Sequence, residues 1–167
     1  MIKSYITSIL IIFFSVLMET AILSNISILP AIPDLLLLCS LYLGIINGKV
    51  DGEISGFISG FFLDFLSGAP FGFNCLYRTL LGFIAGLLGM SFNFEGILMP
   101  SVIGFVGTLM KVFLVWLISL LYPNVSVMYH LASTSFIFEL ACNTVLAPLV
   151  FKFLSMFKSS LSPKAGE

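Results

Sequence analysis

Residues 52–72, GEISGFISGFFLDFLSGAPFG, followed by residues 73–89, FNCLYRTLLGFIAGLLG, decide the fold of this 167-residue chain. In the first limb Gly52, Gly56, Gly60, Asp64 and Gly68 recur every four residues, so one helical face carries only hydrogen atoms and a single carboxylate. The second limb repeats the device as Arg78, Gly82 and Gly86. Between them SGAPFG supplies Gly68, Pro70 and Gly72 as helix breakers. Folded antiparallel about Phe71, the limbs set position 64 against 78, 60 against 82 and 56 against 86. Glycines then oppose glycines, and the one acid opposes the one base. At ~1.5 Å per residue, Asp64 and Arg78 lie roughly 6 to 9 Å below one membrane surface, so an Asp64–Arg78 ion pair is expected to stitch the hairpin. Gly56, Gly60, Gly82 and Gly86 are the expected packing positions, because helices in lipid associate through small residues and polar contacts.

The rest of the chain supports a bilayer setting. With 59% hydrophobic and 9% charged residues it lies far from the roughly 25% charged content of soluble domains. Connections of at most about ten residues leave nothing outside the membrane able to bury a core, so a single polytopic domain over 1–167 is expected. A net charge of −1 with no basic face excludes general nucleic-acid binding. Cys39, Cys75 and Cys142 show neither CxxC nor zinc spacing and read as small core residues. Residues 1–24 resemble a signal peptide only superficially, because Glu19 interrupts the apolar run and no positive cluster precedes it.

Six helices are expected, over about 4–24, 33–47, 53–67, 73–90, 98–121 and 131–157. On the first, Ser4, Ser8, Ser15 and Glu19 fall within a ~60° arc and form a polar stripe that should face protein. Pro33 starts the second, with Asp34 in its first turn as a dipole-compensating acid whose expected role is to cap the helix. That segment, LLLLCSLYLGII, is short for a span, so it tilts little or starts within the headgroup layer. The fifth begins at Pro100 and carries Lys111 four residues after Gly107. The sixth starts near Leu131, carries Ser135, Glu139, Asn143 and Ala147 at spacing four, and is kinked by Pro148.

Orientation follows from the lysines. With the N-terminus inside, Lys3, Lys49, Lys152, Lys158 and Lys164 are all cytoplasmic, and both termini with them. Glu19, Asp34, Asp64, Arg78, Lys111 and Glu139 then map between the outer surface and the midplane. Lys111 and Glu139, at ~15 and ~12 Å depth, form a second candidate pair. The six charges sum to −2, so two acids need protonation, water, a cap or another molecule; Glu19, Asp34 and Asn143 are candidate contacts to a partner or ligand.

Pro33-Asp34 followed by LLLLCSLYLG, a Lys-bearing turn, then LDFLSGAPFG with Asp64, Ser67, Gly68, Pro70 and Gly72, and finally LLGFIAGLLG, resemble the MreD family of bacterial rod shape-determining membrane proteins. The resemblance implies an all-α, six-helix fold similar to the substrate-binding S components of energy-coupling-factor transporters. It also implies a place in the plasma membrane, in the elongation machinery that builds side-wall peptidoglycan. There MreC would be the direct partner, with MreB, RodA and its partner transpeptidase in the same assembly. The loop SFNFEG departs from the family in lacking the basic residues expected on the cytoplasmic side.

Two function classes follow. One is a non-enzymatic scaffold that binds MreC through its membrane helices; a homodimer through the glycine faces is a further candidate assembly. The alternative is a solute-binding subunit of a transporter, served by a separate ATPase module. An enzyme is disfavoured, because the sole histidine, His130, has no evident nucleophile partner. No cofactor or metal is expected, since Asp34, Asp64 and Glu139 lie on three different helices with no ligands at i, i+3 or i, i+4.

Overall fold

The computed structural model describes residues 2–26, 30–68, 70–89, 96–121 and 133–161. His130, Leu131, Lys164, residues 91–95 of SFNFEG and the side chains of Lys3 and Ser4 lie outside the described set. The described residues form helices and no strand. Helix α1 covers Ile2–Leu17 and continues as a π turn, Met18–Ile22, and a 3₁₀ turn, Leu23–Asn25. There follow α2 (Leu35–Asn47), α3 (Lys49–Leu66), α4 (Phe73–Gly89), α5 (Leu98–Ser119), α6 (Thr134–Met156) and the short α7 (Lys158–Leu161).

Helix α2 is the axis of the bundle, and its composition explains why. A helix apolar on all sides has no face to give to another phase, so it is enclosed. Every residue from Leu36 to Ile45 is buried. Helices α3 and α4 fold together as a hairpin against it, α5 and α6 pair as a second hairpin, and α1 packs on α2 and α3.

Three helices meet at glycine. A methyl group on Gly52 would strike the Gly82 carbonyl, and one on Gly82 would strike the Gly52 carbonyl. A Cβ on Gly44 would lie 2.8 Å from that same Gly82 oxygen and 3.2 Å from Gly52 Cα. Such approach without an intervening side chain is how dispersion contacts replace the absent hydrophobic drive between helices in lipid.

The hairpin register differs from the one expected from the spacing. Gly82 faces Gly52 rather than Gly60, Gly56 faces the Arg78 backbone, and Gly60 packs on Asn74 and Cys75, where a Cβ would meet Cys75 Cα at 2.6 Å. One limb has therefore slid by eight residues, about 12 Å. A stripe repeating every four residues offers glycine to glycine in each of these registers, so the spacing alone cannot choose between them.

The molecule is polar inside and apolar outside. Asp34, Asp64, Arg78, Lys111, Glu139 and Asn143 are buried, whereas Leu10, Phe14, Phe57, Phe65, Trp116, Val145 and Leu149 are exposed. Phe57, Phe61, Phe65 and Phe71 form one exterior aromatic ladder, with centroids 4.8 Å apart for Phe61–Phe65 and 5.2 Å for Phe65–Phe71. Water would reverse that arrangement. Two helices, Leu98–Ser119 and Thr134–Met156, are long and apolar enough by themselves to cross a membrane. The others are shorter or more charged; α2, at 13 residues, extends only about 20 Å. Its start is correspondingly sunk in protein, with Pro33 and Asp34 both buried.

Candidate functional site

Asp34 is the hub of a buried charge cluster. It caps α2, as expected, though from the N-cap position rather than from within the first turn: its Oδ1 accepts a 2.7 Å hydrogen bond from the Leu37 amide. Arg78 on α4 donates through Nη2 to both carboxylate oxygens at 2.8 Å. Lys111 on α5 donates through Nζ to Asp34 Oδ2 at 2.7 Å and to Glu139 Oε1 on α6 at 2.6 Å. Asn143, one turn beyond Glu139, accepts from the Asp34 amide at 2.9 Å and donates to Thr108 Oγ1 at 3.1 Å. Four helices are thus tied to Asp34, three through its carboxylate and α6 through its backbone amide and Lys111.

The expected Asp64–Arg78 pair does not form; Arg78 pairs with Asp34 instead. Asp64 serves the start of α4. Its two oxygens accept from the amides of Gly72 (2.8 Å), Asn74 (2.9 Å) and Cys75 (3.3 Å) and from Asn74 Nδ2 (2.9 Å). The amides of a helix's first turn have no intrahelical acceptor and lie at the positive end of the dipole, so they hold an anion as well as a cation would. Reaching them requires Asp64 to lie level with Gly72, and this selects the shifted register. The turn completes the arrangement: Gly68 (φ +66°) and Gly72 (φ +90°) adopt conformations that favour glycine, and the Phe73 amide donates to the Pro70 carbonyl at 3.0 Å. Ser67 closes α3 as its C-terminal cap, and Asn74 Nδ2 reaches its hydroxyl at 3.4 Å.

Glu19 meets its surplus charge in the same way. Its Oε2 accepts from the Leu36 amide, in the first turn of α2, at 3.2 Å. The π turn that carries Glu19 takes it off the regular continuation of the α1 stripe and toward that amide. The sequence pairing left Glu19 and Asp34 without a base; in the structure Asp34 takes both bases, and Glu19 and Asp64 are bound by the helix N-termini of other segments. Asp34 and Asn143, considered as contacts to a partner or ligand, are 2% and 0% exposed and are consumed inside the bundle. The glycine faces are likewise filled within the chain, which removes them as a dimer surface.

A second chain of hydrogen bonds joins the two centres. Arg78 Nε donates to the Tyr77 hydroxyl at 3.2 Å, which donates to Asn74 Oδ1 at 3.1 Å, and Asn74 in turn holds Asp64. The Arg78 guanidinium also lies 5.4 Å from the centroid of the Tyr77 ring. Its Nη1 is buried with no hydrogen-bond partner among the described residues. Thr108, Asn74 and Tyr77 were not singled out from the sequence. Asn74 had a signal, since Asn74, Arg78, Gly82 and Gly86 continue one spacing of four.

Chemically the cluster is a clasp. It holds four acids, two bases and two helix ends with nearly every polar atom spent on another. Among the described residues no group of three or more His, Cys, Asp or Glu side chains is placed to hold a metal ion. A family model described as rod shape-determining protein MreD matches residues 1–157 of the chain. No curated protein and no solved structure matches it.

Proposed function

Because the chain belongs to the MreD family of rod shape-determining membrane proteins of the cell envelope, we propose that it is a non-enzymatic scaffold of the rod complex that binds MreC through its membrane helices. The family membership gives it a role in rod shape determination. The observation that carries the scaffold reading is the closure of the charge cluster: Asp34, Arg78, Lys111, Glu139 and Asn143 bind one another. A charged solute arriving there would have to displace these bonds, whereas the apolar exterior is open to another membrane helix. MreB, RodA and its transpeptidase would join through the same assembly. The chain is a single polytopic domain with six spans, similar in layout to an S component, with both termini cytoplasmic in the bacterial plasma membrane. The buried start of α2 supports this layout, because a 13-residue helix can serve as a span when its first amides are satisfied within the protein.

The test is co-purification of the full chain with tagged MreC from membranes in mild detergent, together with native mass spectrometry of the purified chain. A stoichiometric complex with MreC is the expected result. Absence of MreC, with one small solute retained per chain, would instead make it a solute-binding subunit.

A further inference from the structure

A cavity of about 520 Å³ opens between the end of α2, the start of α5 and the end of α6, at the opposite end of the bundle from the charge clasp. It belongs to neither the clasp nor the glycine junction. On α6, Pro148, Phe151, Lys152 and Ser155 fall at spacings of three and four and present one stripe to it, and Lys158, the first residue of α7, extends that side. Its wall is mixed. Ile97 and Phe151 give it an apolar side, while Lys152 and Lys158 bring two cations, and no carboxylate among the described residues lines it. Neither lysine has an ion-pair partner among the described residues. The Ser155 hydroxyl donates back to the Lys152 carbonyl at 2.7 Å, so it is already engaged.

Tyr42 provides the independent observation. It is 5% exposed, its ring packs edge-on against Phe151 at 5.2 Å, and it lines the cavity. Its hydroxyl makes no hydrogen bond to any described residue. A buried phenol ordinarily finds a partner for its O–H. Here that donor is left for whatever fills the space.

We infer that this cavity binds the phosphate of an anionic phospholipid, held by Lys152, Lys158 and the Tyr42 hydroxyl, with an acyl chain against the apolar wall. Two ammonium groups and a hydroxyl donor match a phosphodiester, and the volume lies in the range of roughly 300–1,000 Å³ typical of small-molecule sites. The apolar side favours a lipid over free phosphate. A site at the lysine-bearing end of a helical bundle also lies at the depth of the headgroups of an anionic leaflet. The inference rests on the membrane setting and not on the scaffold reading.

The experiment is native mass spectrometry of the full chain in detergent with added phosphatidylglycerol, phosphatidylcholine or inorganic phosphate. Phosphatidylglycerol should be retained and phosphatidylcholine should not. Replacing both lysines (Lys152→Gln with Lys158→Gln) should weaken retention by roughly thirtyfold, at about fivefold per lysine. Tyr42→Phe should weaken it by about threefold, a lost hydrogen bond within an unaltered fold. Lys49→Gln, an exposed lysine at the same end but outside the cavity, should leave it unchanged. Equal retention of the two lipids, wild-type retention by the double lysine variant, or an equal loss with Lys49→Gln would overturn the inference. Displacement of the lipid by millimolar phosphate would replace the lipid with a soluble anion and overturn it as well.

Discussion

At the scale of single residues, the molecule depends on one carboxylate. Asp34 neutralises Arg78 and half of Lys111 while capping α2, so its loss leaves Arg78 with no ion-pair partner among the described residues and Lys111 with Glu139. Removing one partner of a buried pair costs about 3–5 kcal/mol, because the remaining charge stays desolvated. We predict that Asp34→Asn lowers stability by about that amount, read as the thermal unfolding midpoint in detergent, and that wild-type stability in this variant would show the pairs to be dispensable. Arg78 is a milder case. A single nitrogen, Nη2, makes both contacts to Asp34, and Nη1 is unpartnered, so an ammonium can stand in for it. Arg78→Lys should cost about 1 kcal/mol, chiefly the Tyr77 contact, whereas Arg78→Met should cost several times more. Equal damage from the two would mean that guanidinium shape, not charge, is what the site requires.

At the scale of elements, the α3–α4 hairpin is set by backbone contact and by one long-range cap. Gly60→Leu and Gly82→Leu should abolish accumulation of the protein in membranes, while Leu66→Ala, at a side chain 55% exposed, should leave it near wild type. Equal accumulation of all three would sink the close-packed hairpin. Gly68 is a different kind of glycine, with a positive φ and open space around its Cβ position. Gly68→Asn should therefore be tolerated to within about 1 kcal/mol, since asparagine also enters that region. Asp64→Ala should cost about 2 kcal/mol or more, at the upper end of a cap, because it orphans three amides at once, that of Gly72 just before α4 and those of Asn74 and Cys75 in its first turn.

At the scale of the whole molecule, an apolar exterior around a charged interior fixes the environment but not which side faces out. The proposed orientation puts the end where Lys49, Lys152 and Lys158 gather on the cytoplasmic side. In a chain with Cys39, Cys75 and Cys142 replaced by alanine, a thiol introduced as Phe71→Cys should react with an impermeant reagent on intact cells. One introduced as Val50→Cys should react only after permeabilisation. Both positions are well exposed, at 63% and 56%, so a reversed pattern would invert the proposed topology rather than reflect burial.

The sequence by itself determined the all-helical class, the six helical segments, the family, the inward convergence of the charges and the use of glycine for close packing. Each follows from local spacing or composition: four-residue repeats place side chains on one face, and the apolar content requires helices whose backbone bonds are internal. Only the tertiary structure decided who pairs with whom. Asp34 takes Arg78, while Asp64 and Glu19 bind amides at the starts of α4 and α2. A helix end carries its partial charge in the backbone, not in any side chain, so no count of acids and bases can include it. The register was likewise hidden, because a stripe of period four matches itself after each turn. The acid that had to reach the α4 amides made the choice among those matches.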